Sequence, residues 1–233
     1  MKKKIIFLLI LFVSIISLVG CGKKENTEGT RKPTASSKAF KTDYESLNGK
    51  ENKSGKVHRS VSIPEANPMQ EISATELLTK IDNGETFYVY FGSSLCPWCR
   101  SCIEKAIEVA NKKNIDVIYY IDIWDEEGNE ILRDKYELNK KNKPTKTIEG
   151  APEYERLLEV FDEYLSDYEL TDAKGNKIST GEKRIYAPNY FYVEKGKVQR
   201  KVEGYSDKQT DSREELTDEM LEDEEKIFTE FFE

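Results

Sequence analysis

One stretch restricts this chain more than any other. It is an apolar run, Phe87-Tyr88-Val89-Tyr90-Phe91, a break at Gly92-Ser93-Ser94, and then Cys96-Pro97-Trp98-Cys99. The run is short, aromatic and β-branched, which predicts a buried strand. Downstream, Ile103, Ala106, Ile107 and Ala110 share one face of a helix that should run to about Lys113. Pro97 suits its first turn, because the N–H that proline lacks would have no intrahelical acceptor there. Cys96 is therefore expected at the positive end of the helix macrodipole. Thiolate is the reactive form of cysteine, and such a setting lowers the thiol pKa from about 8.5 into the range of about 3.5–7.5. With two residues between the cysteines, the second sulfur can reach the first, so Cys99 can resolve a mixed disulfide on Cys96.

The competing chemistry for a CxxC pair is zinc, which wants four ligands in a structural site. Cys102 would make a third, but the single histidine, His58, lies far upstream in a polar segment. The pattern favours redox over metal, with no metal and no cofactor beyond the dithiol itself. Cys102 is expected as a small buried residue, and a rearranged Cys99–Cys102 disulfide is its alternative role.

The chain begins with Met1-Lys2-Lys3-Lys4 and an apolar run from Ile5 to Leu18, too short to span a membrane comfortably. It ends in Leu18-Val19-Gly20-Cys21. This resembles a bacterial lipobox, which implies removal of residues 1–20, lipidation of Cys21, and a site on the extracytoplasmic face of the cell membrane. Disulfide chemistry is at home there. From 21 to 68 the sequence is mostly polar with isolated Phe40, Tyr44 and Leu47, so a flexible tether is expected, with His58 solvated. The formal charge is −8, and loss of the three lysines of the leader would deepen it. That argues against nucleic acid as a partner.

Residues 69–233 are expected to form one α/β domain. Glu71-Ile72-Ser73 suggests a first strand, Ser73 or Thr75 an N-cap, and Leu77, Leu78 and Ile81 a helix ended by Gly84. Ile115 to Ile121 predicts a strand buried on both faces, parallel to the first apolar run through a right-handed crossover. An insertion over about 124–183 is expected to be helical, with a helix over Glu126–Tyr136, a basic loop over Asn139–Lys146, and a helix from Pro152 through Tyr168. Lys174-Gly175-Asn176 predicts a tight turn. Tyr190 to Val193, the turn Glu194-Lys195-Gly196-Lys197, and Val198 to Val202 predict a β-hairpin, and Asp211 to Glu233 a last helix.

Strand, turn, Cys96-Pro97-Trp98-Cys99 and helix together resemble the active site of the thioredoxin superfamily. Tyr186-Ala187-Pro188-Asn189 is similar to that superfamily's cis-proline loop. The resemblance implies a thioredoxin-like fold, a mixed sheet flanked by helices, with the helical insertion before the cis-proline strand. It makes Pro188 the cis-proline in preference to Pro144, and Ala187 and Trp98 neighbours of a bound substrate. Tyr90 stands where many members carry a buried acid, Gly92 where an aromatic is usual, and Pro97-Trp98 where thioredoxins have Gly-Pro. These departures argue against efficient thioredoxin-like reduction. Among tethered relatives, the chain most resembles bacteriocin-transport-accessory-type thioredoxin-like proteins.

The expected activity is thiol–disulfide exchange on protein or peptide substrates, with Cys96 and Cys99 catalytic and a redox partner in the membrane or outside it. The alternative is a non-catalytic binding module that presents a groove to an exported peptide.

Overall fold

The computed structural model describes residues 31–233, and the expectations for the signal segment and for Cys21 lie outside them. The described chain is α/β, built on a mixed five-stranded sheet with helices on both faces. Strands β1 (Met69–Glu71), β2 (Phe87–Gly92), β3 (Ile118–Asp122), β8 (Asn189–Glu194) and β9 (Lys197–Val202) lie in the order β1-β3-β2-β8-β9. β1, β3 and β2 are parallel, while β8 and β9 run antiparallel to their neighbours.

Alternation along the central strands explains the layers. Phe87, Val89 and Phe91 of β2, with Phe191 and Val193 of β8, enter one core with helices α2 (Ala74–Asp82) and α4 (Tyr154–Phe161). Tyr90 and Tyr190 point to the opposite core, with α1 (Ala35–Glu45), α3 (Pro97–Lys112) and α5 (Asp218–Phe231). Both faces are covered, so β2 is a continuous apolar run. Phe91, Phe161 and Phe191 are fully buried, each worth about 1.5–3 kcal/mol of transfer free energy.

Local signals hold where they were strongest. Ser73 caps α2 in a reciprocal pair with Glu76. The β8–β9 turn places Lys195 at φ 50° and Gly196 at φ 73°, the paired positive values of a two-residue hairpin turn. Gly196 has a second reason: a Cβ there would sit 2.3 Å from the Ile81 carbonyl oxygen.

Two expectations are corrected. The first is the flexible tether over 21–68: its described part is folded against the domain. Phe40 and Tyr44 of α1, then Val61 and Ile63, are buried in the same core as α3. His58 is buried as well, and burial lowers its pKa.

The second is the helical insertion, which is one helix and two β-hairpins. Residues 126–136 form no helix, because the Asp125 carboxylate accepts from the Asn129 amide and side chain at 2.8 Å and closes a turn. The basic loop expected over Asn139–Lys146 is shorter: Asn139–Lys143 form the turn, and Pro144–Lys146 belong to a strand. Strand β4 (Lys135–Leu138) pairs with β5 (Pro144–Ile148) around Asn139, whose side chain accepts from the Lys141 and Lys143 amides at 2.9 and 3.1 Å. The helix expected through Tyr168 ends at Phe161, and Tyr168 belongs to β6 (Ser166–Thr171), paired with β7 (Lys177–Arg184). There it packs under the Arg184 guanidinium, 4.2 Å from the ring centroid. Helical spacing fits Tyr154, Leu157 and Phe161, but Tyr168 is buried from a strand.

Candidate active site

β2, the central strand, delivers the chain to the C-terminal end of the parallel strands, Gly92-Ser93-Ser94 turns it, and α3 starts at Pro97 with Cys96 as its N-cap. The cap is a sulfur: Cys96 Sγ accepts from the Cys99 amide at 3.4 Å. Across from it, the peptide bond between Ala187 and Pro188 is cis, and Cys96 Sγ lies 3.5 Å from the Ala187 carbonyl oxygen. The fold thus brings Cys96, Cys99, Ala187 and Pro188 together from segments about ninety residues apart in the sequence. Trp98 packs beside them on Tyr205, ring centroids 4.6 Å apart. Tyr205, just after the last strand, had no signal in the sequence.

The two thiols are made unequal. The Cys99 thiol donates to the Cys96 sulfur, and with the Cys99 and Trp98 amides and the charge of Arg133 this lowers the Cys96 pKa despite burial. Burial pushes the Cys99 pKa well up, and its place as the donor to Cys96 adds to that. A low-pKa sulfur at a helix N-terminus with a protonated partner one turn on is the arrangement of a nucleophile and a resolving thiol. Cys96, Cys99 and Cys102 are all free thiols. Cys102 is fully buried, 4.0 Å from the Tyr190 hydroxyl, and burial followed by the nearby Glu224 raises its pKa strongly. Among the described residues, no group of three or more His, Cys, Asp or Glu side chains is placed to hold a metal.

Arg100 has a role the sequence did not show. It is fully buried, and its guanidinium donates to the carbonyls of Arg59 at 2.7 Å, Tyr44 at 2.9 Å and Ser94 at 3.1 Å, and to Asn48 Oδ1 at 2.7 Å. It clamps the N-terminal segment onto α3. A second buried cluster supports the loop before Pro188. Glu130 bridges Arg133 and Arg184 at 2.6 and 2.7 Å, and Arg133 donates to the Ile185 carbonyl at 3.1 Å.

A groove of about 400 Å³ opens beside the pair, between Trp98, Tyr205 and the Ala187–Pro188 loop on one side and the β6–β7 hairpin on the other. No helix among the described residues is long and apolar enough to cross a membrane. No protein-family model matches the chain, and no curated protein matches its sequence.

Proposed function

We propose that this chain is a thiol–disulfide oxidoreductase of the thioredoxin superfamily. In this reading it is held on the extracytoplasmic face of the cell membrane by a lipid on Cys21 and acts on protein or peptide substrates. The observation that carries the reading is the inequality of Cys96 and Cys99 at the N-terminus of α3. The sheet order and the position of the dithiol against the loop before β8 agree with a thioredoxin-like fold.

In the reducing direction, the Cys96 thiolate attacks one sulfur of a substrate disulfide. A Cys96–substrate bond forms, and the first substrate thiolate leaves and takes a proton. Cys99 then attacks Cys96 Sγ, the second substrate thiolate leaves, and two electrons have passed from the dithiol to the substrate. Oxidation is the same sequence reversed. Either way, an extracytoplasmic or membrane thiol–disulfide partner must restore the pair. In this reading the substrate chain is taken up by the groove lined by Trp98, Ala187, Pro188 and Tyr205.

Cys96 is only 3 % exposed, which favours, as the second reading, a binding module whose thiols are structural. Insulin reduction and refolding of reduced ribonuclease separate the two. Loss of activity in Cys96→Ser supports the enzyme, and peptide binding with no turnover in either protein supports the module.

A further inference from the structure

β6 is the far wall of the groove, and its two faces differ. Tyr168 points into the protein, buried under the Arg184 guanidinium, while Asp167, Glu169 and Thr171, at alternate positions, line the groove. One hydroxyl holds this wall in place. Tyr186 Oη donates to the Asp167 carbonyl at 3.1 Å and accepts from the Glu169 amide at 3.4 Å. Tyr186 directly precedes Ala187, whose carbonyl oxygen is 3.5 Å from Cys96 Sγ. Both acidic residues are thus tied, through one side chain, to the loop that faces the dithiol.

The opposite wall carries Glu203 and the packed rings of Trp98 and Tyr205. Three acids, Asp167, Glu169 and Glu203, line the groove against one base, Lys177. Lys177 pairs with Glu169 at 2.9 Å and Lys201 with Glu203 at 3.1 Å, while among the described residues the Asp167 carboxylate pairs with no cation. A positive side chain entering the groove therefore meets carboxylates on both walls, with the faces of Trp98, Tyr186 and Tyr205 beside them.

We infer that this groove selects peptides carrying an arginine or lysine close to the reacting cysteine, with Asp167 and Glu169 setting the specificity and Tyr186 positioning them. The long stem of such a side chain can lie along the aromatic rings while its charged head reaches a carboxylate. The ring faces themselves attract a cation. An acidic flank is repelled from both walls. The exchange itself is unaltered: the Cys96 thiolate bonds to the peptide sulfur, and the sulfur that had been its partner leaves as a thiolate. The groove acts on the capture that precedes this step, so the inference rests on the proposed exchange reaction and names its substrate class.

The test uses three short peptides, each with one cysteine in a disulfide with β-mercaptoethanol and with Arg, Gln or Glu two positions away. Each is mixed with the reduced full chain at low salt and quenched in acid, and loss of the reduced chain is followed by mass spectrometry. Dividing each rate by that of free cysteine with the same peptide removes the peptide's own reactivity. The Arg peptide is expected to react about ten-fold faster than the Glu peptide, with Gln between them. Asp167→Asn with Glu169→Gln should cut this preference to about three-fold or less and leave the Gln peptide within about two-fold. Both side chains are exposed, and the bonds to Tyr186 come from their backbone, so these changes keep the wall in place. Tyr186→Phe should also weaken the preference. Glu222→Gln with Glu230→Gln, which removes two charges from the exposed side of α5, should keep it whole. Equal rates with the Arg and Glu peptides, or a preference that survives the change at 167 and 169, overturn the inference and leave the exchange reaction standing. An equal loss in the α5 variant overturns it too, since net charge would then be the cause. If none of the peptides oxidises the chain, the exchange reaction itself falls, and the inference with it.

Discussion

Cys96 Sγ and the carbonyl oxygen of Ala187 stand 3.5 Å apart, joining the start of α3 to the loop that enters β8. This contact sets the geometry of the site. Under the proposed exchange, Cys96 would capture substrate against the backbone of the Ala187–Pro188 loop, with Cys99 behind it in the core.

Removing the Arg100 clamp should loosen the N-terminal segment. Arg100→Met leaves three carbonyls and the Asn48 side chain without their donor. Several buried acceptors left unpaired cost about 2–4 kcal/mol in total. Urea denaturation should show a loss of that size, and limited proteolysis should cut within 46–68 before the rest. Equal stability and an uncut segment would contradict the clamp.

Glu130 is the single carboxylate bridging Arg133 and Arg184 in this cluster, and all three side chains are nearly buried. Glu130→Gln leaves two guanidiniums without their counter-charge, a change that costs about 3–5 kcal/mol for a broken buried pair. The midpoint of denaturation should fall accordingly. Because Arg133 also favours the Cys96 thiolate, Arg133→Met should raise the Cys96 pKa, which alkylation rates at several pH values would report.

Glu224 of α5 is fully buried, with neither carboxylate oxygen hydrogen-bonded, and burial pushes its pKa up to about 8. The folded state then binds the proton more tightly than the unfolded one. Its contribution to stability is complete below the ordinary carboxylate pKa and is lost as pH rises towards about 8. At one pKa unit per 1.36 kcal/mol, the upper bound of that loss is about 5 kcal/mol. Thermal melts of Glu224→Gln and the unaltered chain should nearly coincide near pH 4 and separate progressively above it, with the glutamine variant the more stable at pH 8.5. A constant gap would contradict the assignment.

The parts legible in the sequence were those in which local pattern and tertiary role agree. β2, α3, β3 and the β8–β9 hairpin combine strong periodicity with clear punctuation at Gly92, Pro97 and Gly196. The placement of Cys96, Trp98 and Cys99 at the start of α3, and of Ala187 and Pro188 in the turn into β8, was legible from the breaks at Gly92, Pro97 and Pro188. The N-terminal segment was not. Phe40 and Tyr44 are two apolar residues in a polar stretch, and their burial depends on Arg100 donating to that stretch's backbone from 41 to 56 residues away in sequence. The insertion misled because Tyr154, Leu157, Phe161 and Tyr168 suggest one long stripe, although only the first three lie on the helix. Tyr90 and Tyr44 look like ordinary core residues until their hydroxyls are seen to meet.

The central claim is that the N-terminus of α3 and the Cys99 thiol make Cys96 acidic. Site-resolved alkylation of the reduced chain with iodoacetamide across pH 4 to 10, quantified by mass spectrometry, tests it most directly. The account predicts a Cys96 midpoint below the value of about 8.5 for an unperturbed thiol, with Cys99 unreactive until well above it. A Cys96 midpoint at or above about 8.5, or Cys99 reacting at lower pH than Cys96, would contradict it.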